Sequence, residues 1–238
     1  MANTHFQFKQ FKVEQSSAAM KVGTDGVLLG AWAPVNGCRY VLDVGTGTGL
    51  LALMIAQRDP LAIIDAIEID ANAAAQAKYN IINSPWPDRI NIMHCSLQDF
   101  AKQKRPGYDL IVCNPPFFAN SLKSPHAPRN LARHDVSLPL DELVKNAIRL
   151  LQQGGTIAIV LPPETFYVFE QLMRNLGFGT RQLLEIIPMQ GKAPKRILAA
   201  FDRSGQDCLR DTLIVESTGR HGYSDEYKQL TKEFYLTF

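Results

Sequence analysis

Cysteine is scarce and scattered: Cys38, Cys95, Cys113 and Cys208 are the only four in 238 residues, and none forms a C-x-x-C pair. That spacing argues against both a zinc site and a disulfide framework. The five histidines are equally dispersed, so no metal is expected. No apolar run approaches the roughly 18 residues that cross a bilayer. The opening Met1-Ala2-Asn3-Thr4-His5-Phe6 lacks the apolar segment of a signal peptide. A cytoplasmic protein with neither membrane nor metal is the expectation. An excess of one charge sign is lacking too, since 25 Lys and Arg against 23 Asp and Glu leave a formal charge of +2. Overall charge therefore announces no nucleic-acid binder, and any such argument must rest on where the charges sit. No internal repeat, low-complexity tract or linker divides the chain.

What recurs is a short β-branched run followed by a helix-like segment. Residues 39–44, 62–69, 90–94, 108–113 and 155–161 read as strands. Residues 50–58, 71–83, 140–152 and 164–176 read as helices. In the third helix Leu140, Leu143, Ala147 and Leu151 share a face, and Gly154 suits its C-terminal cap. Two further apolar strands, 183–187 and 196–201, complete the set. Alternation of this kind predicts an α/β fold: a doubly wound, mostly parallel seven-stranded sheet with helices on both faces. At 46% hydrophobic and 20% charged, the chain can bury such a core. A single domain is expected over 1–238, with an N-terminal extension to 35, the core sheet at 36–202 and a C-terminal strand and helix at 203–238. Phe6, Phe8, Phe11 and Val13 suggest a small hairpin or edge strand. Ser224 suits the cap of a last helix at 225–235 with Tyr227, Leu230 and Phe234 turned inward.

Ligands of a doubly wound sheet bind at the carboxyl ends of its strands, near the point where strand order reverses. The first core strand runs through Asp43 into Gly45-Thr46-Gly47-Thr48-Gly49. Its glycines let the backbone turn sharply and let a ligand lie on bare main chain. The spacing is G-x-G-x-G, not the G-x-G-x-x-G of a dinucleotide pyrophosphate site. A carboxylate at Asp43 would repel a pyrophosphate but can hold the cationic amino group of an amino-acid ligand. Glu68 ends the next strand, where a carboxylate can accept both ribose hydroxyls. A glycine turn with a satisfied acidic cap is the plainer alternative.

On consecutive strands, these two elements resemble the class I S-adenosylmethionine-dependent methyltransferases, over roughly residues 21 to 201. The resemblance implies Asp43, Gly45, Thr46, Gly47 and Gly49 around the methionine part, Glu68 and Ile69 at the ribose, and Leu97 and Asp99 near the adenine ring. It also implies that a segment carrying Lys21, Thr24 and Asp25 closes over the methionine end. Helix capping by Thr24 or Asp25, and a helix N-terminal acid at Asp99, explain those residues equally well.

The fourth core strand leads into Asn114-Pro115-Pro116-Phe117. Two prolines fix φ and remove two backbone donors, and the residue before a proline is held out of the helical region. The result is a rigid ledge that offers the Asn114 amide oxygen and the Pro115 carbonyl as acceptors. An adenine amino nitrogen is a poor nucleophile because its lone pair is delocalised into the ring. Two acceptors gripping its N–H bonds localise that pair and aim it at a methyl donor. Phe117 would stack on the acceptor's planar face. The tetrapeptide is similar to that of amino-group methyltransferases acting on adenine or on glutamine amides.

The short stretches around the core leave no room for the target-recognition domain usual in DNA adenine methyltransferases, or for the N-terminal helical domain of release-factor methyltransferases. RNA loops, whose bases unstack readily, need less apparatus. Lys123, Arg129 and Arg133, with His126 and His134 against the single acid Asp135, and then Lys192, Lys195 and Arg196, supply basic loops for phosphate contact. Ordinary solvated charges are the alternative. Residues 6–11, 20–32, 114–118, 132–135 and 230–236 closely resemble the bacterial tRNA valine (adenine) methyltransferases that modify the adenine beside the anticodon. That resemblance implies methyl transfer to the amino group of adenine 37, with S-adenosylhomocysteine as product. It implies the tRNA anticodon loop as partner, with no membrane and no obligate protein partner. A protein-glutamine methyltransferase or a non-catalytic RNA-binding module would share parts of this pattern.

Overall fold

The computed structural model describes residues 4–16, 21–104, 107–115 and 138–238. The chain opens with β1 (His5–Gln7) and β2 (Lys12–Glu14), the expected hairpin, followed by α1 (Thr24–Trp32). The core then alternates β3 (Tyr40–Val44), α2 (Leu50–Arg58), β4 (Ile63–Glu68), α3 (Ala71–Ile82), β5 (Ile90–His94), α4 (Leu97–Gln103) and β6 (Tyr108–Cys113). After residue 137 come α5 (Leu140–Leu150), β7 (Leu151–Leu161), α6 (Pro163–Asn175), β8 (Gly179–Met189), β9 (Arg196–Asp202), β10 (Leu209–Glu216) and α7 (Asp225–Thr231).

The main sheet has the order β10-β8-β9-β7-β6-β3-β4-β5. Pairing is parallel from β7 to β5 and between β10 and β8, while β9 runs antiparallel to both β7 and β8. The C-terminal strand β10 joins this sheet, so among the described residues it has eight strands, one more than expected. Only Leu213 of β10 is buried, and a polar edge strand carries little of the apolar signal that marks an interior one.

Successive residues of the central strands face opposite layers, as the two-residue period of a strand requires. Val41, Leu110 and Val112 pack with α1 and α2 residues such as Leu28, Leu53 and Met54. Leu42, Ile111 and Cys113 pack with Val144 of α5 and Phe166 and Phe169 of α6. Each fully buried side chain of this size contributes about 1.5–3 kcal/mol.

Three helix ends differ from expectation. Helix α5 stops at Leu150 because Leu151 already pairs with Tyr108, and the register then jumps so that Leu110 faces Thr156. Gly154, at φ +80°, therefore lies in that irregularity and is not the cap of α5. Helix α1 begins after Gly23 with no side-chain cap, so neither Thr24 nor Asp25 caps it. Helix α7 ends at Thr231, though Ser224 caps it as expected: its Oγ accepts from Tyr227 N at 3.0 Å. Tyr227 and Phe234 are buried, with Leu230 partly so. The two termini meet there: Lys9 N donates to Phe234 O at 2.8 Å, and its Nζ reaches Lys232 O and Phe238 O at 2.6 Å each.

Candidate active site

Strand order reverses between β3 and β6: β4 and β5 continue on one side of β3, while β6 and β7 lie on the other. Val44 of β3 pairs with Ile67 of β4 and with Cys113 of β6. Asp43, Glu68 and Asn114 therefore stand in a row at the carboxyl ends of three adjacent strands, where doubly wound sheets bind ligands.

Asp43 is fully buried. Its Oδ2 accepts from Thr46 Oγ1 at 2.5 Å and from Ala52 N at 3.2 Å, whereas Oδ1 is buried with no partner among the described residues. Burial pushes this carboxyl up to about 7; the Thr46 and Ala52 hydrogen bonds oppose the shift and the charge of Glu68 adds to it. The loop beyond it is pinned to β4, because Gly45 N and Thr46 N both donate to Ile67 O, at 2.9 and 3.0 Å. Gly45 and Gly47 have φ of +69° and +58°, a region costly for residues with a Cβ, and a Cβ on either would meet nothing within 4 Å. The turn is thus a cradle of open main chain.

The Glu68 carboxylate is already occupied. Oε2 accepts from Gly47 N at 2.9 Å, and Oε1 accepts from Ile69 N and Asp70 N at 2.8 and 2.9 Å. It ties the glycine turn to the end of β4, leaving about one of its roughly four acceptor sites for a ligand hydroxyl. Ile69 stands beside it, 48% exposed. Leu97 is buried in the core. Asp99 lies in the first turn of α4, where the Lys102 ammonium and the Ser96 hydroxyl hold its exposed carboxyl below the ordinary range. Ser96 in turn accepts from Asp99 N at 3.1 Å, so Asp99 has a complete helix-capping explanation.

Asn114 and Pro115 follow β6 and are half-buried. Asn114 Oδ1 is buried and has no hydrogen-bond partner among the described residues, an arrangement that costs about 1–3 kcal/mol unless a donor arrives. Pro116, Phe117, Lys123, His126, Arg129, Arg133, His134 and Asp135 lie outside the described residues. Cys113, directly before Asn114, is no nucleophile at neutral pH: burial pushes its thiol far up, and Asp43 and Glu68 add to the effect.

Because β9 runs antiparallel, its first residue, Arg196, comes to the same end of the sheet as Asn114. Arg196 Nε donates to Asp25 Oδ2 at 2.7 Å. Lys192 and Lys195 on the preceding turn are exposed, as are Lys21 and Thr24. Two participants escaped sequence reasoning. Asn80 of α3 is buried; its Nδ2 donates to Glu14 O and Thr48 O and its Oδ1 accepts from Glu14 N, all at 2.9 Å. It thereby joins the N-terminal hairpin to the glycine turn. Gly26 faces Asn114, for a Cβ added there would sit 3.5 Å from Asn114 Nδ2. Neither contact leaves a local pattern, since each joins residues far apart in sequence.

The model of the methyltransferase small domain family matches residues 22–186. The chain belongs to this family. It is 47% identical over 238 residues, 99% of both chains, to the tRNA1(Val) (adenine(37)-N6)-methyltransferase of Bacteroides thetaiotaomicron. Its identity to the protein of the same name in Bacteroides fragilis is 48%, again over 99% of each. Among solved structures, a predicted O-methyltransferase from Agrobacterium tumefaciens, Atu636, superposes with a TM-score of 0.69 at 18% identity, covering 88% of this chain and 96% of that one. That likeness concerns the fold alone.

The fold of this methyltransferase implies S-adenosylmethionine as methyl donor. The residues present fit such a molecule. Asp43 keeps one buried oxygen unpaired, the cradle at Gly45 and Gly47 is open, and Glu68 stands on the next strand. Among the described residues, no group of three or more His, Cys, Asp or Glu side chains could hold a metal ion. Among the described residues no helix is long and apolar enough to cross a membrane.

Proposed function

We propose that this methyltransferase transfers a methyl group from S-adenosylmethionine to the exocyclic amino group of adenine 37, beside the anticodon of a valine tRNA, leaving S-adenosylhomocysteine. The observation that carries the chemistry is Asn114 Oδ1, buried at the carboxyl end of β6 with no hydrogen-bond partner among the described residues. The choice of acceptor is supported by two Bacteroides relatives of that name at 47% and 48% identity.

When bound, the donor supplies an electrophilic sulfonium methyl. Asp43 faces its amino group, Glu68 and Ile69 its ribose, and Leu97 the neighbourhood of its adenine ring, with Lys21, Thr24 and Asp25 on the segment beside the methionine end. Asp99 serves the adenine amino group only by turning away from Lys102 or Ser96. Asn114 Oδ1 and the Pro115 carbonyl accept from the two N–H bonds of the acceptor amine, restore its lone pair and fix its direction. Neither needs to act as a base, because the nitrogen becomes cationic and acidic once it carries a fourth substituent and then loses one proton to solvent. Pro116 stiffens the ledge and Phe117 stacks on the base. Lys123, Arg129, Arg133, Lys192 and Lys195 contact phosphates of the anticodon arm, a cytoplasmic partner. Mass spectrometry of valine tRNA nucleosides after incubation with protein and donor tests the reading. N6-methyladenosine appears at position 37 if it is right; unmodified tRNA beside a methylated glutamine peptide contradicts it.

A further inference from the structure

We propose that Arg196 is a positioning residue for Asn114: it anchors Asp25, and with it the first turn of α1, so that Gly26 backs the Asn114 amide. This rests on the reading of Asn114 as the group that grips the acceptor amine.

The Arg196–Asp25 pair is close, at 2.7 Å, and its side chains are only 24% and 29% exposed. A half-shielded, charge-assisted bond of this kind is stronger than a solvated surface pair. It spans 171 residues of sequence and joins the start of β9 to a helix with no cap of its own. The N-cap position is Gly23, which has no side chain and makes no side-chain cap hydrogen bond. Arg196 ties this turn to β9 from outside the helix, while Gln15 Oε1 accepts from Val22 N just before it at 2.8 Å.

The next residue is what the tether places. A Cβ at Gly26 would lie 3.0 Å from Leu50 Cδ2 and 3.5 Å from Asn114 Nδ2. Gly26 therefore presents bare α1 backbone toward the amide nitrogen of Asn114, with room there for no more than a Cβ in ordinary contact, and the other end of the same amide, Oδ1, has no hydrogen-bond partner among the described residues. The space beside the amide is bounded by α1 at Gly26, so a shift of that turn changes the room in which the Asn114 amide is held. Arg196 thus differs from Lys192 and Lys195 on the same turn, which are exposed. A phosphate reaching Arg196 would have to displace a carboxylate already bound at 2.7 Å.

The test compares Arg196→Ala, Asp25→Ala, Arg196→Lys and the exchanged pair Asp25→Arg/Arg196→Asp. With cofactor and tRNA saturating, each alanine variant slows single-turnover methyl transfer by about tenfold or more. Arg196→Lys falls between, and the exchanged pair is faster than either alanine variant. The salt dependence of tRNA binding in Arg196→Ala stays that of wild type. A wild-type rate in Arg196→Ala with a flattened salt dependence makes Arg196 a phosphate contact and overturns the proposal. A second readout needs no activity. The side-chain amide resonance of Asn114, assigned by its loss in Asn114→Ala, moves in both alanine variants. It stays in place in Arg174→Ala, which breaks only an exposed pair with Glu170. Movement of that resonance in a protein that methylates no tRNA leaves the positioning role standing and removes the acceptor reading. A resonance unmoved in both alanine variants removes the positioning role.

Discussion

At the scale of the residue, Asp43 carries the most distinctive chemistry. Its carboxyl is raised to about 7 chiefly by burial, above the ordinary value of roughly 3.9. Between those values the folded protein holds a proton that the unfolded chain has released. This group's contribution to stability is thus complete below about pH 4 and is lost as pH rises toward 7. An ammonium beside Oδ1 favours the ionised form, so cofactor binding below pH 7 expels that proton. Affinity for S-adenosylhomocysteine should fall toward about tenfold per pH unit below 7, and Asp43→Asn should bind weakly with a flat profile. Calorimetry across that range decides; a wild-type affinity independent of pH would separate Asp43 from the ligand. Asp43 was legible in the sequence because the glycine turn follows it directly. The double duty of Glu68 was not, because its three amide donors depend on how the turn folds back over β4. For Thr24 and Asp25 the sequence left capping open beside a place at the cofactor; neither caps α1, and the partner of Asp25 was invisible because it lies 171 residues away.

The elements were mostly visible wherever both faces of a strand are buried, as in β3, β6 and the end of β7, whose apolar runs stand out against polar turns. Residue patterns faded where tertiary pairing took over. Leu151 belongs to a helical face by spacing, yet its backbone pairs with Tyr108, and β10 is too polar at the sheet edge to announce itself as part of the main sheet. The glycine turn is held from behind by Asn80, which bonds both the hairpin and Thr48. Asn80→Leu leaves those backbone groups unpaired, and should cost about 1–3 kcal/mol of stability together with cofactor affinity. Denaturant unfolding and calorimetry would show both losses; an unchanged midpoint would make the bridge dispensable. The turn before β9 has a separate role. Replacing Lys192 and Lys195 by Ala should raise the Michaelis constant for tRNA and reduce its salt slope by up to about 2, with cofactor affinity unaltered. An unchanged slope would return both lysines to ordinary solvated charge.

At the scale of the whole molecule, the terminal additions are part of the core layer. Phe8 and Phe11 of the hairpin region and Tyr227 and Phe234 near the C-terminus share one buried cluster with α1 and α2. A single cooperative unfolding transition is expected, with the hairpin and the C-terminal helix melting together with the sheet; two separated transitions would divide the chain. The architecture brings Asp43, Glu68 and Asn114 to one end of three neighbouring strands, and the account stands or falls on the division of labour among them. Single-turnover methyl transfer by Asn114→Ala, with cofactor and tRNA saturating, tests that division most directly. The rate should fall by about 10² to 10³ while S-adenosylhomocysteine affinity stays within about threefold of wild type. A wild-type rate would contradict the mechanism, since the buried acceptor at the end of β6 would then have no part in the reaction.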